Sequence, residues 1–210
     1  MKLSKIVAVP LSFLMMTALA ISGCATSGPK EAANLASQVE DSRRALQVTE
    51  EHIRTTMNTA NSLGQAEGGN LASDFKRLNT ELKQSNEKLA EFRKRVASME
   101  KVSNTFFTGW TAELDKYETE EFRKHSEVRL QETRGGYDRV LTSMQQADEK
   151  FQPFFSKLHD LTLYLNHNLN AEGVAAIKTS VDSLNADAEH LYSLIGTAVQ
   201  EADGFTVSME

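Results

Sequence analysis

The sequence predicts an all-α protein, folded as an elongated antiparallel bundle of four long helices with coiled-coil character. Three observations carry this expectation. Only three prolines occur in 210 residues, and of these only Pro153 falls inside the expected fold. The chain is otherwise rich in Ala, Leu, Glu, Lys, Gln and Arg, the residues that lose least on entering a helix. Apolar residues recur at alternating spacings of three and four over long stretches, which places them on one helical stripe. No segment alternates apolar and polar residues as a half-buried strand would.

The first helix is expected over 30–63. Gly28-Pro29 precedes it, with proline near the first helical position and Glu31 soon after. Ala32, Leu35, Val39, Ser42, Leu46, Ile53, Ala60 and Leu63 form its stripe. The glycine-rich GQAEGGN, from Gly64 to Asn70, breaks the pattern, and Asn70 suits a helix cap. The second segment, 70–134, has the clearest repeat: Leu71, Phe75, Leu78, Leu82, Ser85, Leu89, Phe92, Val96 and Met99 make about four heptads. At FFTGW, Phe106 to Trp110, the seam is expected to shift, because Leu114 and Tyr117 stand one residue out of phase. A break or stutter is therefore placed near 103–111, most narrowly at 106–110.

From Glu118 to Arg134 the apolar stripe nearly vanishes, as expected for a wet helix supported by charge pairs. Gly135-Gly136 is read as a turn into a third helix, 137–167, carrying Tyr137, Leu141, Met144, Phe151, Phe155, Leu158, Leu161 and Leu165 and kinked at Pro153. HNLN, from His167 to Asn170, reads as a tight reversal, with Asn168 left-handed and Asn170 capping the last helix, 171–203. That helix carries Val174, Ile177, Val181, Leu184, Ala188, Leu191, Ile195 and Ala198. If 70–134 ran straight through FFTGW, the first hairpin and the later helices would lie end to end as a rod. The length of the heptad run favours that arrangement within one elongated domain, 30–205.

The first residues carry an export signal: Lys2 and Lys5, an apolar run from Ile6 to Ala20, then small residues leading to Gly23 and Cys24. The run falls short of the ~20 residues that span a bilayer. Ile21-Ser22-Gly23-Cys24 resembles the bacterial lipobox, with Ile in the place usually held by Leu. The resemblance implies removal of residues 1–23 by cleavage between Gly23 and Cys24. It also implies a diacylglycerol on the Cys24 thiol and an acyl chain such as palmitate on the new amino terminus. Two or three chains hold a protein firmly where one does not. Cys24 is the sole cysteine, so no intramolecular disulfide can form. In the lipoprotein sorting pattern of Gram-negative bacteria, Ala25 after the cysteine directs the chain to the periplasmic face of the outer membrane. Residues 24–29 would then be a short tether.

Antiparallel pairing about the 64–70 loop sets Lys30 opposite about residue 104 and brings Phe106, Phe107 and Trp110 near the anchored end. These rings are candidates for contact with the membrane interface, where Trp is favoured; the competing reading is that they fill the core at a helix break. The formal charge of −6 becomes more negative once Lys2 and Lys5 are lost, which argues against nucleic acid as a partner. Helical bundles bind metals through paired Glu-x-x-His motifs. Of the five histidines only His190, three after Asp187, has a related form, and it has no second copy. Glu121 and His125 are four apart on a polar stretch and carry little information. Gly64 to Gly69 has the glycine spacing of a phosphate loop, but Asn70-Leu71 stands where Lys-Ser/Thr is required, so no nucleotide is expected. Arg93-Lys94-Arg95 lies among Glu87, Glu91 and Glu100 and reads as a solvated coiled-coil face.

GWTAELDKY (Gly109 to Tyr117), SEVRLQETRGGYDRV (Ser126 to Val140) and LYLNHNLNA (Leu163 to Ala171), together with the lipobox, resemble segments of a family of bacterial lipoproteins of unknown function. The resemblance covers most of the mature chain and implies an all-helical exported protein. It supplies no catalytic residue. The sequence thus leads to a non-enzymatic, lipid-anchored periplasmic protein serving as a structural, scaffold or accessory partner in the cell envelope. It needs no cofactor beyond its acyl chains, and it meets the membrane, other envelope proteins or a second copy of itself. The rival readings are a metal- or ligand-binding helical enzyme and a membrane-remodelling protein. The polar 118–134 helix and the acidic C-terminal segment are the expected partner-facing surfaces.

Overall fold

The computed structural model describes residues 27–65 and 70–209. The signal segment, Cys24 and most of the GQAEGGN loop lie outside the described residues. Four helices follow one another: α1 (Ser27–Gly64), α2 (Leu71–Leu114), α3 (Glu120–His167) and α4 (Ala171–Ser208). They contain 38, 44, 48 and 38 residues, so at 1.5 Å per residue they run about 57–72 Å. Each packs on its neighbours in chain order, and α4 closes back onto α1. No strand occurs among the described residues.

The core follows one rule. Along α1 the central stripe of buried or half-buried positions is Ala32, Leu35, Val39, Ser42, Leu46, Thr49, Ile53, Thr56, Ala60 and Leu63, with Met57 and Thr59 buried beside it. The spacings along the stripe alternate between three and four without a slip. Along α2 the run from Leu71 through Met99 continues in phase to Ser103, Phe106 and Trp110. The same spacing holds on α3 from Leu130 to Leu165 and on α4 from Val174 to Phe205. These strict 3,4 repeats keep one stripe of each helix turned inward over its whole length.

Two expectations about the chain's course are corrected here. The seam does not shift at FFTGW, because Ser103 and Phe106 hold it in register; α2 instead ends at Leu114 and the chain turns at 115–119. Thr119, extended at φ −96° and ψ 115°, starts α3 with Glu120 and Glu121 in the first turn, where the helix dipole favours acid. The fold-back pairs α2 with α3 side by side, so the helices form one four-membered bundle and not two units end to end.

Nor does the chain turn at Gly135-Gly136. Leu130, Thr133, Tyr137 and Val140 keep the α3 stripe in phase across the glycines, so burial on both sides favours continued helix. Val140, not Leu141, takes the fully buried position; Leu141 packs at the margin. Gly136 has a steric use: a Cβ there would sit 3.2 Å from Phe205 Cδ2 on α4, tighter than ordinary contact. Pro153 lies inside α3 on its exposed face. The carbonyl it frees, that of Glu149, also belongs to an exposed residue, on the side of the helix open to solvent.

At the α3–α4 reversal Asn168 is not left-handed; its φ is −128° and its N–H donates to the Leu165 carbonyl at 3.2 Å. Asn170 caps α4 as expected, its Oδ1 accepting from Gly173 N at 2.9 Å. The tightness of this turn depends on Gly173, where a Cβ would fall 1.8 Å from the Asn168 carbonyl oxygen.

The two central glycines of α3 should respond oppositely to a side chain. Nothing lies within 4 Å of a Cβ at Gly135, so Gly135→Ala is expected to stabilise the bundle by about 0.5–1 kcal/mol through helix propensity. Gly136→Val pushes on Phe205 and is expected to destabilise it by about 1–3 kcal/mol. Chemical denaturation followed by circular dichroism separates the two, and equal effects would overturn the assignment.

Candidate functional site

One end of the bundle combines the start of α1, the close of α2 and the start of α3. Gly28 and Pro29, in the first turn of α1, line a cavity of about 260 Å³ with Ala32, Phe106, Trp110 and Glu113. A Cβ added at Gly109 would lie 3.7 Å from Glu31 Oε2, so the last turns of α2 are level with the first turn of α1.

α4 does not reach this end. Arg43 on α1 meets Asp203 at 3.1 Å, and Gly136 on α3 faces Phe205. α4 therefore stops at Ser208 about one turn further on, while α1 and α3 continue past it for about three turns. The chain-proximal tip is a three-helix segment.

Aromatic rings hold that segment together. Trp110, Phe106, Phe107, Tyr137 and Phe205 follow one another at centroid distances of 5.5, 5.1, 5.6 and 6.3 Å, tying α2 to α3 and α4. The Trp110 Nε1–H donates to Ser126 Oγ at 2.9 Å. The Arg134 guanidinium stands 4.8 Å from the Phe107 centroid. Phe106 and Phe107 are each only 5 % exposed. Their rings fill the core, which corrects the expectation that they meet a membrane interface; Trp110 is half-buried and committed to Ser126. The exposed aromatics of this end are Tyr117, at 43 %, and Phe122, at 62 %. Sequence reading passed over Phe122 because it lies in a stretch without an apolar stripe, where a lone aromatic has no pattern to join.

The core carries a line of hydroxyls along the α1/α2 seam. Thr56 Oγ1 and Ser85 Oγ pair at 2.8 Å across the two helices, and Thr56 also donates within α1 to the His52 carbonyl. Ser42 and Thr49 return their hydroxyls to the carbonyls of Gln38 and Ala45. Such small side chains let two backbones approach without leaving unpaired polar atoms. Tyr137 breaks this rule: among the described residues its buried hydroxyl has no partner at hydrogen-bonding geometry, although the Ser103 hydroxyl, which donates to the Glu100 carbonyl, lies near it. Burial pushes the Tyr137 phenol above its usual range.

At the opposite end a groove of about 570 Å³ runs between α3 and α4, lined by Lys157, Asp160, Leu161, Tyr164, Ile177 and Ser180. Leu163 is exposed on the neighbouring surface of α3. The histidine pairs singled out in the sequence do not converge. Asp187 binds Lys157 Nζ at 2.5 Å, and His125 Nε2 lies 3.9 Å from Glu121 on an exposed face. No group of three His, Cys, Asp or Glu suited to a metal occurs among the described residues. Arg93 bonds Asp148 on α3 at 2.7 Å, and Arg95 bonds Glu91 at 2.9 Å, so the basic cluster joins surface ion pairs. No helix among the described residues is long and apolar enough to cross a membrane.

A family model described as protein of unknown function (DUF2959) matches residues 24–209. No curated protein and no solved structure matches the chain.

Two side chains near the end of α4 allow direct tests. Tyr137→Phe removes a buried hydroxyl that has no partner, so it should leave stability unchanged or raise it by up to about 1 kcal/mol; a loss in thermal unfolding would reveal a hidden bond. Glu40 accepts two hydrogen bonds from Arg43 and one from Arg44. The Arg43 bonds above all hold its carboxyl down at about 2, against an ordinary value of 4.5. A depressed carboxylate stabilises the fold above pH 4.5 and loses that contribution as pH falls toward 2. Solvent screening limits the effect to about 1 kcal/mol. Glu40→Gln should therefore be less stable than wild type at neutral pH, with the gap closing between pH 4.5 and 2; a gap constant with pH would exclude the ionic origin.

Proposed function

The chain belongs to this family of unknown function, DUF2959, and on that premise we propose that it is a lipid-anchored protein of the periplasmic face of the outer membrane, acting as a structural, scaffold or accessory partner in the cell envelope. The observation that carries the reading is the junction of anchor and bundle. Ile21-Ser22-Gly23-Cys24 has the form of an acylation site, and α1 begins at Ser27, only three residues after the cysteine. The family match itself starts at Cys24.

Such a junction suits a spacer. A short tether transmits the position of the membrane to one end of a stiff body, and helices of about 57–72 Å carry surfaces well away from it. Ala25 after the cysteine supports the outer membrane as the destination. The partners proposed are envelope proteins or a second copy of the chain, met through helical surfaces. The groove between α3 and α4, with Leu163 and Tyr164 beside it, lies at the end remote from the anchor.

The test is made on Cys24. Wild-type protein grown with labelled palmitate should carry the label and sediment with outer membranes, whereas Cys24→Ala should lose the label and appear in the soluble periplasmic fraction. Retention of the label by Cys24→Ala, or an unmodified intact mass for the wild type, would overturn the proposal. Crosslinking in intact cells, followed by mass spectrometry, should yield adducts to envelope proteins or to a second copy.

A further inference from the structure

We infer that the α2–α3 turn is a second contact with the lipid surface that holds Cys24, with Tyr117 and Phe122 seated in the interface of a zwitterionic phospholipid leaflet. The inference rests on the anchored reading and adds to it a protein face.

Position is the first argument. Ser27 stands three positions after Cys24, a span of at most about 11 Å when fully extended. An acylated Cys24 therefore keeps the first turn of α1 close to the membrane. The last turn of α2 is level with that first turn, since Gly28, Pro29, Trp110 and Glu113 line one cavity. The turn at 115–119 and the first turn of α3 stand at this level or beyond it, and α4 stops about three turns short. No other part of the described chain projects further toward the anchored side.

Chemistry is the second. Tyr117 and Phe122 are large, exposed and absent from the core. An aromatic body with a polar tip, as in tyrosine, suits the headgroup region. The surrounding charge is mixed: Asp115, Glu118, Glu120 and Glu121 stand beside Lys116, Arg123 and Lys124. Glu120 is itself engaged by Arg123 at 2.9 Å and Lys124 at 3.5 Å. Without a basic excess there is no pull toward anionic lipid, and the attraction is that of rings for the interface.

Placement is the third. The Trp110–Ser126 hydrogen bond and the Arg134–Phe107 contact fix the base of the hairpin. The turn closes through Lys116 N to the Glu113 carbonyl and Arg123 N to the Thr119 carbonyl, at 3.0 and 3.1 Å. A held tip loses little freedom on docking. The anchor also makes docking intramolecular, so a contact too weak to bind free protein becomes effective.

The experiment uses the acylated full chain in phosphatidylcholine vesicles. With the Cys24 sulfur acylated, a Thr119→Cys substitution supplies the one free thiol; Thr119 makes no side-chain cap bond, so the exchange is tolerated. A fluorophore placed there is read against lipid-borne quenchers, with Ser62→Cys, exposed at the remote end of α1, as control. Quenching at 119 is expected to exceed that at 62 several-fold, to be insensitive to salt, and to fall by half or more in Tyr117→Ser/Phe122→Ser with the unfolding temperature unchanged. Equal, low quenching at both sites in protein whose intact mass carries the acyl chains would overturn the inference and leave the anchor standing. Contact abolished by salt would overturn the interfacial basis. A mass without acyl chains would remove the anchored reading and the inference with it.

Discussion

The architecture depends on an uninterrupted 3,4 spacing of inward residues on each of four helices. A single slip would rotate the remainder of a helix by about 100° and carry its apolar stripe to the surface. None occurs, even where the inward residue is polar. Thr49, Thr56, Ser85 and Ser103 keep the register with hydroxyls satisfied inside the core. Apolar character was therefore a sufficient guide to the seam only where the seam happened to be apolar.

The fold-back at 115–119 follows from this. It brings the 48-residue α3 beside α2 and sends α4 into the groove between α1 and α3. Its exact place also sets the polarity of the bundle. α4 has the length of α1 but is displaced along the axis. It stops about three turns short of the start of α1, and its own first turns run past the end of α1, where Gly64 faces Val181. α4 is therefore missing from one end and α1 from the other. Arg43, bonded to both Glu40 and Asp203, pins the last turns of α4 to α1 at the change of section.

That asymmetry gives the proposed anchor its structural meaning. The Phe106–Trp110 contact and the Trp110–Ser126 hydrogen bond tie α2 to α3 beyond the end of α4, and so the proposed anchored body has a firm foot. The stretch from Glu118 to Arg134, which reads in sequence as a partner-facing helix, becomes part of that foot. Within it only Arg123, Ser126, Glu127, Leu130 and Thr133 are withdrawn from solvent. In the proposed anchored state the groove at the opposite end is the surface turned away from the membrane.

The sequence by itself determined the helical class, the number of long helices and most of the core, because each is written in local spacing or local composition. Asn170 as a cap and the α2 heptads from Leu71 to Met99 belong to this part. Only the tertiary structure decided where the chain turns and what the special residues do. Gly135-Gly136 is a turn by propensity, yet it stays helical because burial of Thr133 and Tyr137 on one stripe and the approach of Phe205 to Gly136 outweigh the cost. The break at 115–119 had a local signal, Thr119 followed by two glutamates, but no glycine or proline to announce it. Phe106, Phe107 and Phe122 show the same division. A ring's identity is in the sequence, but whether it faces core or solvent depends on which helices lie beside it.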